Sequence, residues 1–372
     1  MALENIKIMI TGGGTGGHVF PALAIIEYFK SKGFSNFLYV GGYRGIENKL
    51  VPSQGIPYKK LWISGFARGN LVKNLLFPLK LVVSTFQAIW NIISYRPHVI
   101  IGTGGYVEGP MVFVGSSLLF PTVICEQDVF PGITTRILAR YAKRIMLASE
   151  ESIKYFPEKL HYKCKVAGNP VRPTLKQIEK SEARKIFGLQ TEKPVIAIIG
   201  GSLGAVAIND VILSLWEELQ QLDIQIIWQT GNTDYERIIR ELPETDKMPN
   251  VQPFYSNMNA VYSAADAVIC RAGALTLAEL KHMGLYSLLI PYPYAAGDHQ
   301  KKNALAMEEK GWAEVILQDD PEIKDKLKTF LKKVKENSEF LQQKSEEMKQ
   351  QNQTDTLKVI YDSVVELIAK DV

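Results

Sequence analysis

Five glycines and a threonine, Gly12-Gly13-Gly14-Thr15-Gly16-Gly17, stand directly before His18. They follow Ile6-Lys7-Ile8-Met9-Ile10-Thr11, which reads as a short buried strand. They precede Val19 to Lys30, where Phe20, Leu23, Ile26 and Phe29 recur at helical spacing. Strand, glycine turn and helix together aim backbone N–H groups at an anion: glycine permits close approach, and a helix start carries positive partial charge. The loop is expected to hold a phosphate, a sugar or a pyrophosphate lipid. His18, at the start of the helix, either points toward that ligand or is a solvated or capping residue.

A second loop of the same kind, Gly200-Gly201-Ser202-Leu203-Gly204-Ala205, joins the strand Pro194–Ile199 to a helix predicted over Val206–Gln221. There Ser202 can donate a hydroxyl to an anion that backbone N–H groups already face. Arg172, in Gly168-Asn169-Pro170-Val171-Arg172-Pro173, suits a phosphate or equally a surface carboxylate. After the strand Ala267–Cys270, the run Arg271–Leu280 should start a helix near Ala274. Glu279 lies about one turn inside it, placed to accept both hydroxyls of a ribose or to be an ordinary exposed helix glutamate. Farther on, Gln300 and Asn303 are uncharged polar groups at a helix start and suit sugar hydroxyls, while Asp298 is a good helix N-cap.

Gly12, Gly14 and Gly17 satisfy G-x-G-x-x-G, but a dinucleotide site also needs an acidic residue at the end of the next strand. That strand, Asn36 to Val40, runs into Gly41-Gly42. The sequence contains no D-x-D pair, no H-E-x-x-H and no Cys/His ligand cluster. No cofactor and no protein-held metal is expected, so a sugar-nucleotide pyrophosphate would be held by N–H groups, Ser202 and Arg172.

The elements that must position these groups alternate. In the first half strands are expected at 36–41, 56–63, 98–102, 121–125, 143–148 and 163–167, with helices at about 44–53, 109–119 and 132–142. Such alternation predicts a parallel sheet covered on both faces. Val99-Ile100-Ile101 runs into Gly102-Thr103-Gly104-Gly105-Tyr106, and Val123-Ile124-Cys125 into Glu126-Gln127-Asp128. Strand ends of a doubly wound sheet gather on one edge, so Gly14, Gly104, Tyr106, Glu126 and Asp128 should face one cleft. The polar stretch after Pro173 reads as a linker, and the alternation then restarts, with strands at 224–229, 251–254, 266–270, 287–291 and 313–317. Two similar α/β domains are expected. The charged tail over 320–352 should be helical, and Leu357 to Ile368 forms an amphipathic helix that could cross back to the first domain.

Composition narrows the classes. The chain has 372 residues, 46% hydrophobic and 22% charged, with a net charge of +4, which makes no case for bulk nucleic-acid binding. Cys125, Cys164 and Cys270 are widely spaced in or beside apolar runs, as reduced thiols in a cytoplasm would be. No signal peptide is expected, since the glycine loop occupies the place of an apolar core. Residues 61–96 carry Leu71, Val72, Leu75, Leu76, Leu79, Val82, Phe86, Trp90 and Ile93 among Arg68, Lys73, Lys80 and Arg96. That is more apolar surface than one buried stripe needs. It fits a helix lying on an anionic membrane, or a pair of core helices.

Taken in order, Gly12–His18 with Val19-Phe20-Pro21, Gly102–Tyr106, Glu126-Gln127, Gly168–Arg172, Gly200–Ala205, Arg271–Leu280 and His299–Ala304 resemble the MurG family of bacterial UDP-N-acetylglucosamine transferases, which convert lipid I to lipid II in peptidoglycan synthesis. The resemblance implies the GT-B fold, two Rossmann-like doubly wound α/β domains facing a cleft. It implies an N-terminal acceptor- and membrane-binding domain over 1–168 with a helix at 355–372 packing back on it, and a C-terminal donor domain over 169–354. On the donor side it places Glu279 on the ribose, Leu275 and Thr276 along the nucleotide, Ser202 and Arg172 near the diphosphate, Phe254 and Tyr255 beside the uracil, and Gln300 with His299 at the GlcNAc hydroxyls. On the acceptor side it places Gly14, Thr15, Gly16, Gly17, Tyr106 and Asp128, with His18 as first candidate for the general base and Glu126 as second. Implied partners are UDP-GlcNAc, lipid I, the cytoplasmic face of the cell membrane and other cell-wall synthesis proteins, with no nucleic acid. The implied location is cytoplasmic, peripheral on the inner face of the membrane. The family commonly has serine where Glu108 stands, histidine for Cys125 and asparagine for Asp128. Glu108 and Asp128 are thus expected to add negative charge near a pyrophosphate. A non-hydrolysing UDP-GlcNAc epimerase, a dehydrogenase and a sugar-nucleotide-binding subunit of a membrane complex are the alternatives.

Overall fold

In a computed structural model of the chain, which describes residues 3–65, 74–201, 204–243, 250–351 and 355–370, the backbone divides into two units, Met1–Pro173 with Thr354–Val372 and Thr174–Gln353. The division falls at 173/174 rather than 168/169, so Arg172 belongs to the first unit.

The first unit runs β1 (Lys7–Thr11), α1 (Gly16–Ser31), β2 (Asn36–Gly42), α2 (Glu47–Ser53), β3 (Tyr58–Leu61), α3 (Phe77–Tyr95), β4 (Val99–Gly102), α4 (Glu108–Ser117), β5 (Thr122–Glu126), α5 (Ile133–Leu138), β6 (Arg144–Leu147) and β7 (Cys164–Val166). The second runs α6 (Lys180–Ile186), β8 (Val195–Ile199), α7 (Val206–Ser214), α8 (Trp216–Gln221), β9 (Gln225–Gln229), α9 (Tyr235–Glu241), β10 (Val251–Gln252), α10 (Met258–Ala264), β11 (Ala267–Cys270), α11 (Ala274–Met283), β12 (Tyr286–Leu289), α12 (His299–Glu309), β13 (Ala313–Val315), α13 (Ile323–Glu336) and α14 (Ser338–Gln351). A last helix, α15 (Thr356–Lys370), belongs with the first unit.

Both sheets are parallel and doubly wound, with orders β3-β2-β1-β4-β5-β6-β7 and β10-β9-β8-β11-β12-β13. The order reverses between β1 and β4 in one sheet and between β8 and β11 in the other. These switch points leave a crevice at the strands' carboxyl ends, where ligands of such sheets bind. The glycine-rich turns after β1 and β4 both emerge there, brought level by the pairing of Thr11 with Gly102.

Near-continuous apolar strands are what a sheet buried on both faces requires. In β1, Ile8 and Ile10 face a core shared with α1 and α15, while Met9 faces one shared with α3 and α4. Tyr361 of α15 meets Phe29 of α1 with ring centroids 5.1 Å apart.

Two helices depart from the periodic expectation. α1 begins at Gly16, not Val19, because Thr15 O accepts from both His18 N and Val19 N and draws Gly16, Gly17 and His18 into the first turn. Hydrophobic spacing marks only the buried stripe, and these residues carry none of it. The stretch 206–221 is two helices meeting at Leu215, whose backbone (φ −110°, ψ 10°) leaves the helical region. The bend turns Trp216 onto Trp228, with rings stacked 5.9 Å apart.

α3 inverts the usual helix pattern. Its buried side is Ser84, Ala88, Asn91 and Ile92, while Leu79, Val82, Phe86 (68% exposed), Trp90 (73%) and Ile93 line the outer side. The small and polar side chains let the helix lie close on the sheet, Ile92 enters the core, and most of the large apolar side chains face outward. The described helix thus keeps Ala88 and Ile92 in the core and turns its larger apolar side outward; Arg68, Leu71, Val72 and Lys73 lie outside the described residues.

Ile360, buried in the core that α15 shares with α1, tests the place of the last helix. Ile360→Ala is expected to cost about 2–4 kcal/mol of stability by denaturant unfolding. A wild-type midpoint would mean that α15 is not part of the folded unit.

Candidate active site

At the switch point of the first unit the two glycine turns lock together. Gly13 N donates to Gly104 O at 3.3 Å. Thr103 Oγ1 donates to His18 O at 2.8 Å. A Cβ on Gly12 would lie 2.2 Å from Thr103 Oγ1, and one on Gly105 would lie 2.4 Å from Gly13 O. Gly104 and Gly105 take φ of +102° and +85°, so neither position admits a side chain without strain.

His18 stands against this joint. Its Nδ1 lies 3.2 Å from Gly13 O and 3.4 Å from Thr15 Oγ1. A carbonyl oxygen only accepts, so Nδ1 carries the proton and the lone pair of the neutral imidazole sits on Nε2. The other edge of the ring packs on Gly104, where a Cβ would meet Cδ2 at 2.6 Å. Tyr106 covers Gly14, and its hydroxyl donates to Arg44 O at 3.1 Å. Gly14, Tyr106, His18 and Gly104 are therefore one cluster.

The loop is less open than the sequence suggests. Gly13 N is bonded to Gly104 O, and Gly14 N donates to Glu47 Oε2 at 3.1 Å. Glu47 also accepts from Gly42 N at 3.2 Å and is fully buried. The N–H groups left to face a ligand are those at the start of α1, around Thr15, Gly16 and Gly17, which precede the intrahelical ladder. Sequence reasoning missed Glu47, since it sought a carboxylate at the end of β2 for a ribose. This one begins α2 and serves the backbone. The signal was a carboxylate two residues after Gly41-Gly42-Tyr43-Arg44-Gly45. Tyr39 and Tyr58 complete the brace, donating to Gly12 O and Gly42 O, each at 2.9 Å. Burial, reinforced by the Glu47 carboxylate, raises the phenols of Tyr39, Tyr58 and Tyr106 and keeps them as donors.

Glu126, at the end of β5, is buried, and both its oxygens are engaged, accepting from Asp128 N at 3.0 Å and Gly132 N at 2.9 Å. It fixes the loop that carries Asp128. Arg172 lies over the Phe20 ring, 5.8 Å from its centroid, and Phe20 in turn covers Gly16. The residue expected at the donor diphosphate is thus seated beside the first glycine loop, within the first unit.

In the second unit, Ser202 and Leu203 lie outside the described residues. Gly204 (φ +89°) passes so close to Thr230 O that a Cβ would lie 2.7 Å away. Glu279 is partly buried, and Tyr262 OH donates to its Oε2 at 2.9 Å, a second-unit contact with no signal in the sequence. Leu275 and Thr276 occupy the first turn of α11, partly buried. Phe254 is exposed, whereas Tyr255 turns into the unit, edge-on to Phe187 and donating to Asn250 O at 2.7 Å. His299 and Gln300 open α12. Gln300 Oε1 accepts from Tyr292 N at 3.0 Å, which turns its amide donors the other way. Asn303, expected at sugar hydroxyls, is instead buried and donates to Ala272 O. Asp298 occupies the N-cap position with φ +55° and makes no side-chain cap bond.

A family model described as the glycosyltransferase family 28 N-terminal domain matches residues 8–147, and one described as the C-terminal domain of that family matches residues 195–360. A UDP-N-acetylglucosamine--N-acetylmuramyl-(pentapeptide) pyrophosphoryl-undecaprenol N-acetylglucosamine transferase from Thermoanaerobacter sp. is 38% identical, over 96% of this chain and 98% of its own. A relative of the same name from Halalkalibacterium halodurans is 39% identical over 86% of this chain and 87% of its own. The crystal structure of MurG from Acinetobacter baumannii matches with a TM-score of 0.76 and 29% identity, covering 97% of this chain and 99% of that one. The chain belongs to the MurG family. It is a glycosyltransferase with the GT-B fold.

Acidic residues at 108 and 128 bear on the charge near these glycine turns. Glu108 is fully buried at the start of α4. Burial, then the nearby Glu126 carboxylate, pushes its carboxyl up to about 8, against the lowering effect of the Gly104 N–H bond. Near pH 7 it is predominantly neutral, which corrects the expectation that it adds charge. Glu126 is raised to about 7, first by burial and then by Asp128, while N–H groups of Asp128 and Gly132 hold it down. Burial likewise pushes the Cys125 thiol up, so it stays a thiol.

Both carboxyls bind protons more tightly folded than at their ordinary value of 4.5. Their contribution to stability is complete below about pH 4.5 and is lost as pH rises through about 7 and then about 8. The melting temperature of the first unit should fall between about pH 4.5 and about pH 8, and Glu108→Gln should flatten the upper part of that fall. An unchanged slope in Glu108→Gln would mean that Glu108 is ionised throughout.

Proposed function

We propose that this chain transfers N-acetylglucosamine from UDP-N-acetylglucosamine to the C4 hydroxyl of the N-acetylmuramoyl unit of lipid I, forming lipid II and UDP with inversion and a β-1,4 linkage. The observation that carries this reading is His18, held by a backbone carbonyl with its lone pair on Nε2, at a glycine turn braced for an anion. His18 acts as general base. Its Nε2 takes the C4 hydroxyl proton as the oxygen attacks the anomeric carbon, the bond from that carbon to the diphosphate oxygen breaks, and UDP carries away the electron pair. Nδ1 stays bonded to Gly13 O and steadies the imidazolium that forms.

The helix start around Thr15, Gly16 and Gly17 binds the acceptor pyrophosphate, with Tyr106 beside it. Glu126 and Asp128 shape the neighbouring loop, and Glu126 acts as a positioning residue because both its oxygens are engaged. In the second unit Glu279, steadied by Tyr262, accepts the ribose hydroxyls. Leu275, Thr276 and Phe254 line the nucleotide, and Gln300 with His299 offers donors to the GlcNAc. Ser202 and the second glycine loop stabilise the diphosphate as it leaves, while Arg172, over Phe20 beside the first glycine loop, adds positive charge on the acceptor side. No metal is assigned a role.

The outward face of α3 rests on the cytoplasmic surface of the membrane that carries the acceptor lipid. Leu79, Val82, Phe86, Trp90 and Ile93 enter the interface, with Arg96 at the helix end near anionic headgroups. Among the described residues no helix is long and apolar enough to cross a membrane.

The test is transfer of labelled GlcNAc from UDP-GlcNAc to a lipid I analogue in mild detergent by the purified chain. Disaccharide product is expected, and UDP binding without transfer would instead favour a sugar-nucleotide-binding subunit. His18→Ala should lower kcat by about 10²–10⁴-fold while sparing UDP binding; near-normal turnover would remove His18 as base. Separately, replacing Phe86 and Trp90 together with serine should release the protein from anionic vesicles in sedimentation while leaving transfer to a detergent-soluble acceptor intact. Retained vesicle binding would exclude α3 as the contact.

A further inference from the structure

Glu108 is a buried group to which the transfer chemistry above assigns nothing. It is 0% exposed, one carboxyl oxygen (Oε1) has no hydrogen-bond partner, and the other accepts from Gly104 N. Gly104 is the residue on which the His18 ring packs, and with Gly105 it forms the left-handed turn that meets Gly13. A side chain four residues along the chain thus ties down the backbone under the imidazole. Its seat is tight: a Cβ on Gly102 would lie 2.6 Å from Glu108 Cγ.

We propose that Glu108 is a positioning residue for His18, acting through its bond to Gly104 to hold the Gly104–Gly105 turn against the imidazole. The groups that face Glu108 are Cys125 and Glu126 of β5, with Asp128 beyond Glu126 and His18 across the turn. As a neutral acid Glu108 accepts the Gly104 N–H without placing a second negative charge beside Glu126. When it ionises, near pH 8, two carboxylates share a buried space. Their repulsion loosens the turn, and His18 loses its backing. Turnover should therefore decline on the alkaline side through loss of the Glu108 proton. Glutamine, which accepts the same N–H and does not titrate, should abolish that decline.

The inference rests on the reading of His18 as base only for its effect on turnover; the placement of the ring is independent of it. The experiment combines kinetics with nuclear magnetic resonance of the His18 ring nitrogens, in wild type, Glu108→Ala and Glu108→Gln. Glu108→Ala is expected to lower kcat by about tenfold or more, leave KM for UDP-GlcNAc within about twofold, and shift the His18 ring signals. Glu108→Gln should restore the signals and most of the kcat, and should lack the alkaline fall that wild type shows near pH 8. Wild-type ring signals and kcat in folded Glu108→Ala would overturn the proposal. If that variant does not fold, an alkaline limb in Glu108→Gln matching wild type would overturn it instead. Shifted ring signals in Glu108→Ala, alongside normal turnover in His18→Ala, would uphold the positioning role and remove His18 as base.

Discussion

The first unit depends on a backbone joint at its switch point. Two strands that are neighbours in the sheet run into glycine, β1 into Gly12 and β4 ending at Gly102, and the turns that follow must pass within hydrogen-bonding distance of each other. Thr103 occupies the space a side chain on Gly12 would need, and the Gly13 carbonyl occupies the space a side chain on Gly105 would need. The same carbonyl orients His18. A single contact thus closes the sheet edge, begins α1 and selects the tautomer of the one histidine at the site. The glycines are there as much for backbone against backbone as for ligand approach.

Three buried carboxyls brace the loops at this edge of the sheet, and they differ in how many N–H groups they receive. Glu47 takes one from each of two loops and so ties the first glycine turn to the end of β2. Glu126 takes two from the loop after β5. Glu108 takes one and leaves an oxygen without a partner. Hydrogen bonds to the charged form offset the cost of burying it. The group with fewer donors accordingly has the higher proton affinity, about 8 for Glu108 against about 7 for Glu126. Loops that need glycine for close approach leave backbone donors unpaired, and a carboxyl is the compact acceptor that serves more than one of them.

α3 follows the opposite logic on the surface. A helix normally buries its large apolar face, but here serine, alanine and asparagine face the sheet and Phe86 and Trp90 face out. The core gains Ala88 and Ile92 from this helix, and the apolar area it leaves exposed is the kind of patch that marks an interaction surface.

Sequence alone determined the architecture. The strand–helix alternation, the repeated glycine turns after apolar strands and the returning amphipathic helix are local patterns, and local patterns are what periodicity and turn chemistry report. His18 was legible because it follows a run of glycines, and Glu279 and Gln300 because they open or closely follow helix starts. Which backbone donors remain available was not legible, since that depends on partners distant in the chain. Gly13 is paired to Gly104 and Gly14 to Glu47, separations no local pattern encodes. Asn303 and Gln300 have the same polarity three residues apart, yet one turns inward to Ala272 and the other braces Tyr292. The charge state of Glu108 was likewise read wrongly from type alone, because burial outweighs identity in setting a proton's affinity. Composition and spacing set which groups the site contains; tertiary packing decided which are already bonded, which are neutral and which face outward.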